Sequence, residues 1–491
     1  MDERAKIPVS LPRGDPTQSY WQDPPDAIAD LRTTSDLPSS ADTVIIGSGI
    51  TGAAVAWGLL QGDHKPGSIV MLEARQACSG ATGRNGGHTK AASYRSFPSH
   101  AAAHGVSTAV QIARLELANI RAVQAFAREH AIACDLRPCA TVDVVYDAAE
   151  WAAARAGVAA LRAALPRDDP TAEYTLHSAD EARRRFLVAD GRFRGRDEAV
   201  CGAVEYFAGS LSAYAFGVGV LRLCLGKGLN LQTGTPVVEL SRQGEGEGKG
   251  EGNGDGDGEQ RAWAVRTPRG VVRARRVVLA TNGYTAAIAP RFQGVVVPLR
   301  GQVTAQRPGK GMPFGGCLPT TYSFIYEKGY EYMVTRPEGS LLPGDVIIGG
   351  GLYRAPDDGL MEFGITDDST VNEWISAYLR DATPRYFGGN WGEDDPAGRV
   401  RKEWTGIMGF SPDGLPLVGE VPGEEGLWTS CSFQGHGMVL CWMCAKALVD
   451  MMKGRDGEQL REWFPDVFRI TEQRLALRFQ GRSQMGAEPR N

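Results

Sequence analysis

The chain has 491 residues, of which 42% are hydrophobic, and it carries a formal net charge of −5 at pH 7. A chain of this length can bury a sizeable core and is expected to divide into more than one lobe. The acidic balance argues against a nucleic-acid partner, and no apolar run is long enough to predict a membrane span.

Nine cysteines are scattered along the chain, and an odd count is typical of a reducing compartment. The charged start MDERAKIPVS lacks the apolar segment of a secretory signal, so we expect a cytoplasmic protein. Cys441 and Cys444 form a CxxC, but they lie in the apolar run MVLCWMCAKALVDMM. This run predicts one buried helix with two packed thiols, and we expect no metal site.

The first elements in chain order are an arm and a βαβ unit. Residues 1–40 are rich in Pro, Asp and Ser, which predicts an extended arm that either wraps the body or stays partly mobile. A short buried strand at 43–46 then leads into the turn GSGITG, the helix AAVAWGLL and the strand SIVML, which ends at Glu73. This order of elements is typical of a nucleotide-binding sheet.

The turn has the spacing of a dinucleotide site. Gly47 permits the tight turn, Gly49 lets the backbone approach a pyrophosphate, and Gly52 lets helix and strand pack closely. The helix N-terminus offers unpaired N–H groups to phosphates. Glu73 follows Gly52 by 21 positions and is expected to accept hydrogen bonds from ribose hydroxyls.

The middle of the chain predicts helices, an insertion and a second sheet. Apolar residues recur at helical spacing over 108–130 and 148–164, which predicts two helices. A short capped helix is predicted to begin near His177. Residues 241–260 alternate glycine with charge, which predicts a disordered hairpin insertion between the strands PVVEL and RAWAVRT. The alternation of aromatic and polar residues over 322–351 predicts antiparallel strands.

A second glycine-rich run follows Glu73 and reads ARQACSGATGRNGGHT. A simple nicotinamide-binding fold does not need it, but a flavin does, because the isoalloxazine lies far from the adenine and needs close backbone approach. Here the sequence resembles the D-amino-acid-oxidase-like family of FAD oxidoreductases. The stretch SGATGRNGGH is especially similar to the pattern of its γ-glutamylputrescine oxidase members.

Three further segments carry the same resemblance, which runs from about residue 41 to 453. They are ATNG at 280–283, VPLRGQ at 297–302, and WTGIMGFSPDGLPLVG at 404–419 followed by FQGHGM at 433–438. The resemblance implies an FAD-dependent oxidoreductase acting on CH–NH or CH–NH2 donors. The implied FAD-binding residues are Gly47, Ser48, Gly49, Ile50, Thr51, Gly52, Glu73, Ala74, Arg75, Ser79, Gly80, Ala81, Thr82, Gly83, Arg84, Asn85, Gly86, Gly87, His88, Val237, Ala280, Thr281, Asn282, Gly283, Gly406, Met408, Gly409, Gly435, His436, Gly437 and Met438.

The C-terminal signature also has a physical basis. Gly435, His436 and Gly437 open a helix predicted to begin near Met438, so its N–H groups can face the flavin edge that becomes anionic on reduction. His436 is either a packing histidine or a flavin contact. The catalytic candidates are Arg84, His88 and His436.

The sequence departs from its relatives at the substrate carboxylate. Relatives that oxidise α-amino acids carry an arginine in a G-L-R-P pattern, whereas GIMG places Met408 at that position. An unpaired carboxylate is costly, so we expect a small amine or N-alkyl amine substrate. The alternatives are an amino-acid oxidase or dehydrogenase in which Arg84 or Arg300 holds the carboxylate, and an FAD-binding protein without turnover.

The resemblance also leads to expectations about how FAD is attached and which electron acceptor is used. Sarcosine oxidases attach FAD to a cysteine in the C-terminal region, and none lies between 318 and 430 here. The histidine used by dimethylglycine-dehydrogenase-like relatives aligns with Arg84, four residues before His88. We therefore expect non-covalent FAD. The lysine that promotes reaction with O2 has no counterpart around 346–349, so the acceptor is O2 or an unknown oxidant.

Aromatic residues suggest a substrate wall. Tyr322, Phe324 and Tyr326 share one strand face, with Tyr330 and Tyr332 on the returning strand. The resemblance implies that these strands roof the flavin, where they would form a cation–π wall for a substrate ammonium. The alternative is an aromatic sheet core.

These elements predict an α+β fold with a discontinuous architecture. The α/β FAD-binding domain, Rossmann-like in its βαβ unit, comprises 41–97, 200–298 and 400–455. The antiparallel substrate domain comprises 98–199 and 299–399. The arm at 1–40 and a C-terminal tail at 456–491 lie outside both.

Overall fold

The computed structural model describes residues 2–61, 67–193, 195–242 and 263–481. Its strands are β1 Ser40–Ile46, β2 Ile69–Leu72, β3 Arg137–Val145, β4 Tyr174–Ser178, β5 Gly191–Phe193, β6 Arg196–Glu198, β7 Gly202–Ser210, β8 Asn230–Gln232, β9 Glu239–Arg242, β10 Trp263–Thr267, β11 Gly270–Leu279, β12 Val297–Gln306, β13 Thr321–Tyr326, β14 Gly329–Thr335, β15 Val346–Gly349, β16 Val400–Phe410, β17 Leu417–Glu420 and β18 Leu427–Cys431. Its α-helices are α1 Asp2–Ala5, α2 Ile50–Leu59, α3 Ser93–His104, α4 Val106–Glu129, α5 Ala148–Ala164, α6 Ala179–Phe186, α7 Ala213–Leu225, α8 Thr285–Ile288, α9 Glu373–Phe387, α10 Cys441–Met452, α11 Glu458–Trp463 and α12 Glu472–Ala476.

The first sheet has the order β17-β18-β11-β1-β2-β8, with β10 and β9 extending from β11. Strand β1 pairs in parallel with both β11 and β2, so it lies in the middle of the sheet. Helix α2 follows it directly, and its small buried residues, including Ala53 and Ala56, let it pack closely against α7 and α10. The βαβ unit read from the sequence is therefore the centre of this sheet.

The second sheet has the order β16-β12-β15-β14-β13-β3-β7-β4. Its neighbours pair antiparallel, except for the parallel pair β13 and β3. One face packs on α6 and α9 through an aromatic core, in which the rings of Phe324 and Tyr386 stack 3.8 Å apart. The mixed α/β architecture, with one mainly parallel and one mainly antiparallel sheet, is the expected α+β fold.

The predicted domain boundaries need three corrections. Strand β7 pairs with β3 and β4, and β16 pairs with β12, so residues 202–210 and 400–410 belong to the second sheet and not to the first. Conversely, α4 packs on α10 in the core of the first sheet. An apolar strand or helix pattern shows that an element is buried, but it does not show against which sheet.

The N-terminal arm wraps the body. The backbone N–H of Thr17 donates to the carbonyl of Asp368 at 2.7 Å, and Trp21 Nε1 donates to the carbonyl of Asn85 at 2.6 Å. The predicted tail also packs on the body as far as residue 481, with Phe464, Phe468 and Phe479 buried.

Strands β9 and β10 pair antiparallel, as a hairpin requires. Of the predicted insertion at 241–260, residues 243–260 lie outside the described residues. Within the described ranges, no helix is long and apolar enough to cross a bilayer.

Candidate functional site

A cavity of about 330 Å³ runs along the carboxyl end of β1 and continues over one face of the second sheet. At one end it is lined by the GSGITG turn, Glu73 and Val237. At the other end its walls include His88, Lys90 and Tyr330. An elongated cavity joining a dinucleotide turn to a second sheet suits a cofactor with a nucleotide at one end and a reactive ring at the other.

The dinucleotide turn accepts only glycine at two positions. Gly47 has a φ of +102°, and a Cβ there would lie 2.6 Å from the carbonyl oxygen of Ala280. A Cβ on Gly52 would lie 2.0 Å from the carbonyl oxygen of Gly47. Gly49 caps α2 without a side-chain hydrogen bond, which suits a phosphate at this helix N-terminus. The residues present therefore fit a dinucleotide.

Glu73 is buried at the end of β2 and lines the cavity. Its Oε2 accepts hydrogen bonds from Ser48 N at 3.0 Å and Ser48 Oγ at 2.6 Å, and its Oε1 accepts one from Arg75 N at 3.0 Å. A carboxylate has about four lone-pair positions, so it retains one for a ribose hydroxyl.

The second glycine-rich run packs against both the turn and the second sheet. Thr82 Oγ1 accepts a hydrogen bond from Ile50 N at 3.0 Å. A Cβ on Gly86 would lie 2.3 Å from the ring of Tyr332. Most of the predicted FAD-binding residues line the cavity, and the structure places the following ones beneath its surface instead: Gly52, Ser79, Gly83, Gly87, Gly283 and Gly409.

Arg84 lines the cavity, but its hydrogen bonds do not support it as a catalytic candidate or carboxylate clamp. It is buried, and its guanidinium donates to the carbonyls of Ser79, Thr405 and Thr17 at 2.7 to 2.9 Å. Asp368 lies 3.6 Å away and is shared with Arg75. Burial lowers the pKa of Arg84 to about 10, so it keeps its proton at neutral pH.

Arg300 lines the cavity but is paired with a buried carboxylate. It forms a bidentate ion pair with Glu362, with N–O distances of 2.6 and 3.2 Å. It also donates a hydrogen bond to Thr370 Oγ1 at 2.8 Å. Its charge is therefore already matched. This does not support Arg300 as a relocated carboxylate clamp.

His88 is anchored on the second sheet. Its Nε2 lies 3.2 Å from Thr141 Oγ1 and 2.7 Å from Thr321 Oγ1, which are register partners on β3 and β13. Burial, and then the charge of Lys90, hold the pKa of His88 well below its usual range. His88 is therefore a neutral imidazole, which is unsuited to donating a proton.

Lys90 is a charged cavity residue that was not predicted from the sequence. Its Nζ donates to Asp143 Oδ1 and, at 2.6 Å, to Ser323 Oγ, and these partners are again in register on β3 and β13. The other oxygen of Asp143 accepts from the hydroxyls of Tyr94 and Tyr206, each at 2.9 Å. The available signal was the alternation of His88 and Lys90, which places both side chains on one side of an extended segment.

The predicted aromatic wall is corrected by the strand register. Tyr322 pairs with Met333, and Phe324 pairs with Glu331, so Tyr322, Phe324 and Tyr326 share the face that packs on α9. They lie in the core and do not line the cavity, which is the alternative considered above. Tyr330 and Tyr332 alternate with Glu331 and project from the opposite face into the cavity.

The C-terminal signature lines the cavity beside Met408. Gly435 has a φ of +78°, and a Cβ there would lie 3.3 Å from Met408 Sδ. A 3-10 turn covers 437–439 and α10 begins at Cys441, three residues later than predicted. His436 and Gly437 line the cavity at the N-terminal end of this turn.

Cys441 and Cys444 are packed thiols within α10. Burial raises the pKa of Cys441 to about 12 and that of Cys444 well above its usual range, so neither is a thiolate at neutral pH. In the described ranges, no group of His, Cys, Asp and Glu side chains could hold a metal ion.

A dinucleotide turn, a second glycine-rich run and a cavity that continues over an antiparallel sheet define the class of FAD-binding flavoproteins. Comparison with protein families agrees. The model of the DAO family, described as FAD dependent oxidoreductase, matches residues 42–451. The chain belongs to this family of FAD-dependent oxidoreductases.

Individual relatives are distant. A glycine oxidase from Pseudomonas aeruginosa is 26% identical over 40% of this chain and 46%, about half, of its own length. A gamma-glutamylputrescine oxidoreductase from Escherichia coli is 20% identical over 89% of both chains. The crystal structure of a glycine oxidase from Geobacillus kaustophilus superposes with a TM-score of 0.64 at 18% identity, covering 88% of this chain and 99% of that one.

Non-covalent attachment leads to a direct prediction. Acid precipitation of the purified protein should release its FAD into the supernatant, because no cysteine lies between 318 and 430 and Arg84 stands where covalently linked relatives are expected to have their histidine. Absorbance of the supernatant and mass spectrometry of the pellet provide the measurement. Flavin still attached to a peptide containing His88 would overturn the prediction.

Proposed function

We propose that this enzyme oxidises the C–N bond of a small amine or N-alkyl amine, giving an imine that water hydrolyses. Bound FAD would supply the two-electron acceptor for this oxidation. The observation that carries this proposal is the state of the arginines lining the cavity. Arg75 and Arg84 share the carboxylate of Asp368 and also donate to backbone carbonyls, and Arg300 pairs with Glu362, so all three guanidinium groups are engaged within the protein.

The walls of the cavity support an uncharged substrate. Tyr330, Tyr332 and Ile375 provide apolar surface that excludes water. Lys90 is held on the sheet by Asp143 and Ser323, and its ammonium disfavours a second cation nearby. The protein would therefore keep the bound amine in its neutral, oxidisable form.

Anaerobic mixing of the FAD-loaded enzyme with a panel of amines and amino acids tests the proposal. Loss of flavin absorbance with amines is expected. A flavin that no amine reduces would contradict it and favour an FAD-binding protein without turnover.

The role of Lys90 leads to a pH prediction. A fixed cation lowers the pKa of a bound ammonium, so Lys90→Met should raise the pKa that governs flavin reduction by roughly one unit. The rate should then fall near neutral pH and recover at higher pH. The measurement is the pH dependence of the reduction rate in rapid mixing.

Lys90→Arg is the matched control for this prediction, because it keeps the charge and should leave the profile in place. Tyr94 and Tyr206 still donate to Asp143 in both variants, which helps to preserve the fold. An unchanged profile in Lys90→Met would remove Lys90 from the mechanism.

The proposal includes the cellular setting and the partners. All nine cysteines are unpaired, which supports a reducing, cytoplasmic location. The net charge of −5 supports the absence of a nucleic-acid partner. The electron acceptor is O2 or another oxidant, and oxygen consumption during turnover distinguishes the two.

A further inference from the structure

A fully buried carboxylate lies directly behind the substrate end of the cavity. Glu331 in β14 is 0% exposed and receives hydrogen bonds from four donors. Its Oε1 accepts from the hydroxyl of Tyr326 at 2.7 Å and from Gly351 N at 3.2 Å. Its Oε2 accepts from the hydroxyls of Tyr378, at 2.9 Å, and Tyr386. All of its lone-pair positions are therefore used.

Two arginines balance the charge of this site. The guanidinium of Arg354 lies 3.5 Å from the ring centre of Tyr326 and pairs with Glu198 at 2.7 Å. Arg385 lies over the Tyr378 ring at 4.4 Å and donates to its hydroxyl. Burial, and then the charge of Glu331, raise the pKa of Tyr326 and Tyr386 well above the usual range, so both hydroxyls stay protonated as donors.

The donors to Glu331 come from separate elements that together form one wall of the cavity. Glu331 stands between Tyr330 and Tyr332, which line the cavity from β14. Gly351 belongs to the segment 350–354, from which Gly350, Leu352 and Tyr353 line the cavity. Tyr378 and Tyr386 lie on α9, which also contributes Ile375 to the wall.

The segment 350–354 has little room to move. Gly350 has a φ of +133°, and a Cβ there would lie 2.8 Å from the carbonyl oxygen of Tyr330. A Cβ on Gly351 would lie 3.0 Å from the Tyr378 ring. The segment is thus pressed between β14 and α9 at the point where Glu331 binds its backbone.

We propose that Glu331 is a positioning residue that joins β14, segment 350–354 and α9 into one rigid wall and thereby sets which amine the cavity admits. It does not face the cavity itself, so it acts through Tyr330, Tyr332 and Tyr353. This inference rests on the proposed amine oxidation and names the part of the protein that determines its selectivity.

The test compares Glu331→Gln with Tyr146→Phe in the FAD-loaded enzyme. Glutamine keeps the shape but brings two N–H donors against groups that already donate, which breaks the arrangement. Tyr146→Phe removes a buried hydroxyl from the same aromatic core, where it donates to the carbonyl of Ala189 and not to Glu331. A milder variant, Tyr378→Phe, removes one donor and keeps the buried charge.

In anaerobic rapid mixing, Glu331→Gln should weaken the apparent Kd of the best amine about tenfold and change the limiting reduction rate less than about twofold. Its discrimination between n-butylamine and benzylamine should fall toward one. Tyr378→Phe should weaken the Kd about threefold, and Tyr146→Phe should leave it within about twofold of the wild type. Hydrogen exchange of residues 349–354 should rise in Glu331→Gln and not in Tyr146→Phe.

The proposal would be overturned if Glu331→Gln and Tyr146→Phe had the same apparent Kd, the same discrimination between the two amines and the same hydrogen exchange at 349–354. If Glu331→Gln does not fold, Tyr378→Phe is the test variant. An apparent Kd in Tyr378→Phe equal to that in Tyr146→Phe would then refute the inference. If no amine reduces the wild-type flavin, the proposed function fails. Hydrogen exchange at 349–354 then decides the positioning role by itself.

Discussion

Amines are expected to reduce the bound FAD about 10- to 150-fold faster than the α-amino acids that differ from them only by a carboxylate. This range corresponds to one charge-assisted hydrogen bond of roughly 1.5–3 kcal/mol. Met408 stands where relatives of this family that oxidise α-amino acids carry an arginine, and it lies against Gly301 and Gly435 in the cavity. A carboxylate bound there would lose its water without gaining a cation.

Stopped-flow measurement of flavin reduction with matched amine and amino-acid pairs provides the test. Met408→Arg should move the ratio toward the acids, and Met408→Leu is the control that changes the side chain without adding charge. Amino acids that reduce the wild-type flavin faster than their amines would refute the proposal. Lys90 would then be the first cation to examine, because an ammonium has three donors and Asp143 and Ser323 accept from two of them.

Asp368→Asn is expected to lower the free energy of unfolding by about 3–5 kcal/mol, because it leaves buried cations without their counter-ion. Asp368 is 0% exposed, and its Oδ2 lies 2.9 Å from Arg75 Nη1 and 3.6 Å from Arg84 Nε. Its backbone carbonyl also accepts a hydrogen bond from Thr17 of the arm. The change should weaken FAD retention as well, since both arginines belong to segments that line the cavity.

Chemical denaturation and flavin content of the purified variant measure this effect. The neighbouring Asp367→Asn is the matched control, because Asp367 is more exposed and pairs with Arg13 at 3.5 Å on the surface. Asp367→Asn is expected to lower the free energy of unfolding by about 0–1 kcal/mol. A loss in Asp368→Asn no larger than in this control would show that the arginines find other partners.

The sequence alone predicted the features that depend on residues close together in the chain. The turn from Gly47 to Gly52 and the strand end at Glu73 belong to one βαβ unit, where spacing determines geometry. The second glycine-rich run indicated a flavin for the same local reason, and the family comparison confirmed FAD as the cofactor. The predicted helix at 148–164 coincides with α5.

The tertiary structure decided what depends on pairing between distant segments. Tyr322, Phe324 and Tyr326 were correctly placed on one strand face, but the register of β13 against β14 determines that this face packs on α9. The carboxylates that pair with Arg84, Arg300 and Lys90 are distant in the sequence. They are Asp368, Glu362 and Asp143, respectively. A charge or an aromatic ring in a sequence has a known chemistry, but its counter-ion and its face are set by contacts that only folding brings together.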